Sequence, residues 1–175
     1  MTDNVLLHLG EEPRFDAIQT ADIKPALQTA IAEARAQIAE VKAQTHTDWA
    51  NTVERLTDIT ERVGRIWGVV SHLNSVVDTP ELRAVYNELM PEITIFFTEI
   101  GQDIELYNRF KTIKNSPEFA TLSPAQQTKL NHDLRDFVLS GAELLPEQQA
   151  ELAKLQTEGA QLSAKFSQNV LDATD

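Results

Sequence analysis

His8, His46, His72 and His132 are the side chains of this sequence most suited to holding a metal or moving a proton, but their spacing serves neither purpose. None forms the H-E-x-x-H pair that brings two imidazoles to one face of a helix. Cysteine is absent, which removes disulfides and thiolate metal ligands together. Glu11 and Glu12 are adjacent carboxylates near the N-terminus, and adjacency does not separate two pKa values as acid–base catalysis requires. Ser140-Gly141 lacks the G-x-S-x-G frame of a nucleophile elbow. None of the six glycines belongs to a phosphate-cradling loop. No catalytic, cofactor-binding or metal-ligating residue is expected in this chain.

Two groups of side chains invite a binding role. Ser71-His72-Leu73-Asn74-Ser75 is a polar cluster on a helical stretch, expected to cap or bridge neighbouring helices, because polar helical residues mostly satisfy hydrogen bonds. Trp67, Phe96, Phe97 and Phe110 could be drawn as a ligand cage. They fall on apolar stripes, and the expectation is a core position. Trp49 is not fixed by its pattern.

The elements that carry these residues are helices. From Thr20 onward, Ile23, Leu27, Ala30, Ile31, Ala34, Ile38 and Val41 recur at three- and four-residue steps, with Pro25 expected in the first turn. A second stripe follows Asp48 and runs through Val53, Leu56, Ile59, Val63, Ile66, Trp67, Val70 and Leu73 to an end near Val77. Thr79-Pro80-Glu81 reads as N-cap, first helical residue and dipole-favoured acid. The helix it starts should run from Leu82 to Phe110, kinked or split by Pro91 around Leu89-Met90. Ser116-Pro117 and Ser123-Pro124 mark further starts, the second with capping-box spacing to Gln126. Ser140-Gly141 reads as a stop. The last stripe, from Pro146, carries Leu152, Leu155, Leu162, Phe166 and Val170, and shows no stop signal before Asp175, so the natural sequence is expected to continue. Period-two alternation and hairpin turns are missing. The fold class is all-α, a bundle of about five to seven long antiparallel amphipathic helices with no sheet, built from residues 20–175 behind an extended N-terminal segment, 1–19.

A chain of 175 residues can bury roughly 70% of the surface its unfolded form exposes. Acidic residues outnumber basic ones 27 to 15 and the formal charge is −12, the wrong sign for a phosphate backbone, so nucleic acid is not an expected partner. The N-terminus has no basic region followed by an apolar run, and no stretch approaches the ~20 apolar residues of a membrane span. The expected location is the cytoplasm, with no membrane partner.

Three strings are more specific. Ile66-Trp67-Gly68-Val69-Val70-Ser71-His72-Leu73-Asn74-Ser75-Val76, then Thr79-Pro80-Glu81-Leu82-Arg83, then Leu134-Arg135-Asp136-Phe137-Val138-Leu139-Ser140-Gly141 resemble the N-terminal region of the thimet oligopeptidase and neurolysin family of zinc metallopeptidases. Asn169-Val170-Leu171-Asp172-Ala173-Thr174 is similar to the string found where that region ends. The resemblance covers nearly the whole chain in order.

It implies a larger enzyme in which a helical N-terminal domain faces a catalytic domain across a channel for short peptides. It also implies a zinc ion held by the H-E-x-x-H helix of the C-terminal half, so none of the family's zinc ligands or its base is carried to a position here. Short peptides and the catalytic domain of the same polypeptide are the expected partners. Leu162, Phe166, Val170 and Leu171 are expected to form an apolar face left uncovered in this chain, through which it could self-associate. The other reading is a self-contained helical module that offers a groove to a partner helix.

Overall fold

The computed structural model describes residues 4–10 and 12–174. Met1, Thr2, Asp3, Glu11 and Asp175 lie outside the described residues, so the Glu11–Glu12 pair cannot be placed. Six α-helices follow one another: α1 Thr20–Ala43, α2 Arg55–Val76, α3 Pro80–Gly101, α4 Ile104–Lys114, α5 Pro124–Ser140 and α6 Pro146–Thr174. Among the described residues there is no strand, and no helix is long and apolar enough to cross a membrane. The fold class is the all-helical one that the stripes predict.

Short 3-10 turns at Val5–His8 and Phe15–Ala17 precede α1. Leu6 is buried there, and the Asn4 carboxamide donates to the Asp22 carbonyl at 2.8 Å. Residues Trp49–Glu54 form a π-helical turn into α2. Asp48 caps it, accepting from the Asn51 backbone N–H at 2.7 Å. Trp49, which the stripe left unassigned, is buried, and its backbone N–H donates to the Glu118 carboxylate at 3.0 Å.

Polar pairs fix how the helices run. Gln28 faces Glu92, Arg35 faces Glu99 at 2.9 Å, and Lys42 faces Asp103 at 2.7 Å. Numbers rise together on both helices, so α1 and α3 lie parallel. Arg55 meets Gln37 and Arg62 meets Glu33, which sets α2 antiparallel to α1. Between α3 and α6, Arg83 meets Asp172, Asn87 meets Gln168 and Thr98 meets Gln156, an antiparallel pairing along almost the full length of both. The core collects Ile23, Leu27, Ile31, Ile66, Leu89 and Phe96 from the first three helices, and Leu106, Phe110, Ile113 and Leu130 from α4 and α5.

Pro25 lies elsewhere than expected, and Pro91 does not split its helix. Pro25 sits a full turn inside α1 rather than in its first turn. It deprives the Ala21 carbonyl of its helical partner, and Ala21 is exposed, so that carbonyl is not an unpaired group sealed in the core. Helix α3 runs unbroken through Pro91. The carbonyl released is that of exposed Asn87, while buried Leu89, Ile93 and Phe96 hold the helix on the core from both sides. The interruption falls later, where Asp103 accepts from the N–H groups of Glu105 and Leu106 at 2.9 and 3.0 Å and starts α4.

Glycine is required at two positions. At Gly101 a Cβ would stand 2.7 Å from the Ser140 Cβ, so the end of α3 touches α5 only because there is no side chain. Gly141 closes α5 at φ 97°, a left-handed conformation that other residues rarely adopt. The expected capping box is present: Ser123 N–H donates to Gln126 at 2.9 Å, and Gln126 N–H returns to Ser123 Oγ at 3.3 Å.

Candidate functional site

Helix α3 packs against both α2 and α6. They leave a cleft of about 560 Å³. Its floor is α3, with Met90 and Ile93 buried and Tyr86 half-buried. Trp67 on α2 stacks on Tyr86, ring centres 4.8 Å apart and planes within 10°. Expected in the core, Trp67 is instead half-buried and gives the floor a flat apolar surface.

The two walls are polar and small. Helix α2 contributes Ser71, Asn74 and Ser75, and α6 contributes Ala160, Ser163, Ala164, Ser167 and Gln168. The polar cluster read from the sequence is therefore divided by the helix. His72 is exposed on the outer side with its ring 5.4 Å from Phe15, while Ser71, Asn74 and Ser75 face the cleft. Among the described residues no hydrogen bond from Ser71, Asn74 or Ser75 bridges to a neighbouring helix, so the bridging half of the expectation is not met. Ser75 Oγ donates to the His72 carbonyl of its own helix, and Asn74 Oδ1 is buried without a hydrogen-bond partner among the described residues.

Asp78, at the end of α2, is the one charged group in the lining. Its backbone is left-handed, φ 42°. The Arg83 guanidinium bonds it and holds its carboxyl below the usual carboxylate range. That guanidinium also makes a two-point contact with Asp172, at 3.0 and 2.9 Å. Both partners raise the Arg83 pKa. Arg83 and Asp78 are thus committed to each other, and the cleft offers a ligand no unpaired charge.

Helix α6 packs against α3 through Ala153, Gln156, Ala160, Ala164 and Gln168, all partly covered, and none of its residues is fully buried. Its apolar stripe points the other way: Leu162 is 59% exposed, Phe166 70% and Val170 47%. The uncovered face expected for this helix is present at those three residues, while Leu171 turns into the cleft lining. The helix does fold back on the bundle, but with its small, polar side. That second face was legible as Ala160, Ala164 and Ser167 at three- and four-residue steps; the larger residues drew the reading.

Of the remaining aromatics, Phe96 and Phe110 are in the core as expected, but Phe97 is 41% exposed. Successive helical residues point about 100° apart, so Phe96 and Phe97 cannot both face inward. His46 is exposed beside Asp48, at 3.7 Å, and His132 is exposed on α5. Among the described residues no three His, Asp or Glu side chains come together in a metal-holding group. The arrangement suits non-covalent binding of a neutral ligand.

Residues 27–149 match the neurolysin/thimet oligopeptidase N-terminal domain. Oligopeptidase A of Haemophilus influenzae is 40% identical over 171 residues, 98% of this chain and 25% of that protein. Oligopeptidase A of Escherichia coli is 36% identical over 172 residues, again 98% of this chain and 25% of that protein. A protein of Arabidopsis thaliana named probable cytosolic oligopeptidase A is 36% identical over 174 residues, 99% of this chain and 25% of its own length. The chain spans about a quarter of the length of these relatives.

Proposed function

The chain belongs to the neurolysin/thimet oligopeptidase family through its N-terminal domain, and from that membership we propose that residues 20–175 are the helical N-terminal domain of a larger, zinc-dependent oligopeptidase. In this reading the complete enzyme hydrolyses short peptides in the cytoplasm. The helical domain forms one wall of the substrate channel and restricts the size of what enters. The observation that carries the reading is likeness to oligopeptidase A over nearly the entire chain; the name of the Arabidopsis relative supports the cytoplasmic location.

The sequence supplies no thiolate, and among the described residues no group of histidines and carboxylates converges to fit a zinc site. Zinc would be held by the catalytic domain, and no step of hydrolysis is assigned to the residues described here. What this chain would contribute is surface. The stripe of Leu155, Leu162, Phe166 and Val170 turned away from α3 is of the kind that a neighbouring domain covers, which supports a docked catalytic domain.

The reading is tested by the natural gene. A reading frame that continues past Asp175 and encodes H-E-x-x-H is expected, and a gene that encodes no such motif overturns the proposal.

A further inference from the structure

We infer that Arg83 is a conformational latch: its guanidinium holds the last turns of α6 against α3, and loss of its bond to Asp172 lets residues 165–174 lift away and widen the cleft. The inference concerns how the bundle moves and does not depend on the peptidase reading.

One guanidinium serves two carboxylates. Arg83 Nε donates to Asp78 Oδ1 at 2.9 Å, and Nη2 bonds Asp78 Oδ2. Nη1 and Nη2 donate to Asp172 at 3.0 and 2.9 Å. Asp78 follows α2, Arg83 is in the first turn of α3, and Asp172 is near the end of α6, so a single side chain ties three helices together.

The remaining attachment of α6 is uneven along its length. At its start, Gln102 and Gln149 each donate a side-chain N–H to the other's backbone carbonyl at 3.2 Å, and Gln149 also reaches the Gly141 carbonyl at 3.0 Å. That end is a pivot. Among the described residues beyond Lys165, the side-chain bonds to α3 are those of Gln168 with Asn87 and of Asp172 with Arg83. Ser167, Gln168 and Leu171 of this stretch line the cleft, so lifting it removes them from the wall.

Release strands no charge. Asp172 is already 55% exposed, and Arg83 keeps Asp78 when Asp172 leaves, so neither ion is left buried and alone. The move also uncovers little apolar surface, because Phe166 and Val170 face solvent already. The opposing force is a partly exposed ionic contact, which salt screens. Asn87 with Gln168 is a neutral pair and is not weakened in that way.

The sequence has no cysteine, so Ser75→Cys on α2 and Ser167→Cys on α6, both exposed, accept a pair of spin labels across the cleft. Double electron–electron resonance then reads their separation in the 175-residue chain. One short distance should dominate at low salt. A longer one should grow about tenfold in Asp172→Asn, the weight of one charge-assisted hydrogen bond, and should also grow in ~1 M sodium chloride. In Asp172→Asn salt should add nothing further. A second pair, Ile95→Cys on α3 and Glu151→Cys near the pivot, should keep its distance throughout. An unchanged Ser75–Ser167 distance in both arms, a salt response that persists in Asp172→Asn, or lengthening at both label pairs together overturns the inference; the salt arm uses an intact latch, so it stands even if Asp172→Asn misfolds.

Discussion

Arg83 and Asp172 meet through two parallel hydrogen bonds, 3.0 and 2.9 Å long, and so join the first turn of α3 to the last turns of α6. The two residues come from strings far apart in sequence that both resemble the same family. Arg83 also bonds Asp78, which lines the cleft. A planar guanidinium suits a two-point contact with a carboxylate, and a lysine cannot reproduce it.

Breaking this contact should loosen α6 from its far end. No α6 residue is fully buried, and the helix meets α3 through partly covered alanines and polar pairs, so it belongs to the low-stability part of the fold. In Arg83→Lys and Asp172→Asn, amide exchange across residues 165–174 is expected to rise about tenfold while the amides of α1 and α2 are unchanged. Equal acceleration everywhere, or none, contradicts this.

Acid should weaken the fold through two carboxylates. Arg83 holds Asp78 below the usual range, and the Asn51 backbone N–H is the chief group that does so for Asp48. A lowered folded pKa contributes stability that is complete above the unfolded value, about 3.9. It is lost as pH falls through the folded value. The melting temperature is therefore expected to drop on acidification below about pH 4, and to drop less steeply in a chain carrying Asp78→Asn and Asp48→Asn. Parallel profiles for the two chains would show that these carboxylates are not responsible.

Two phenylalanines separate core from surface. Phe96 is fully buried and Phe166 is 70% exposed. Phe96→Ala is expected to cost about 3–5 kcal/mol in urea unfolding, and Phe166→Ala less than about 0.5 kcal/mol. Similar losses at the two positions would mean that α6 buries its apolar stripe in the isolated chain.

The close approach of α3 and α5 gives a further test. A Cβ at Gly101 would lie 2.7 Å from the Ser140 Cβ and 2.9 Å from its Oγ, and overpacking of this kind costs about 1–3 kcal/mol. Gly101→Ala should destabilise by that amount. Combined with Ser140→Gly it should cost less than the sum of the two single changes. Strict additivity would place the two backbones farther apart.

Much of this architecture was legible because it depends on local rules. The stripe from Ile23 to Val41, the Ser123–Gln126 capping box and the Gly141 stop each follow from spacing and side-chain chemistry within a few residues. The break before α4 carried its own signal, Gly101 followed by an Asp103 N-cap, but Pro91 is the stronger single breaker and drew the expectation to itself. The apolar stripe that continues to Phe110 concealed the interruption. Two features depend on tertiary contact alone. One is which face of α6 meets α3, because the helix has both an apolar side and a small, polar side. The other is the cleft, whose walls are about ninety residues apart in sequence, as Asn74 and Ser163 are, so that no local pattern joins them.

The central claim, that this chain is the non-catalytic helical domain of a zinc oligopeptidase, is tested most directly by one assay on two proteins. A short quenched-fluorescent peptide is offered to the complete polypeptide and to residues 1–175 alone, each with and without a zinc chelator. Cleavage by the complete polypeptide that the chelator abolishes and added zinc restores, with none by residues 1–175, is the predicted result. Chelator-sensitive cleavage by residues 1–175, or a complete polypeptide that leaves the peptide intact, would contradict it.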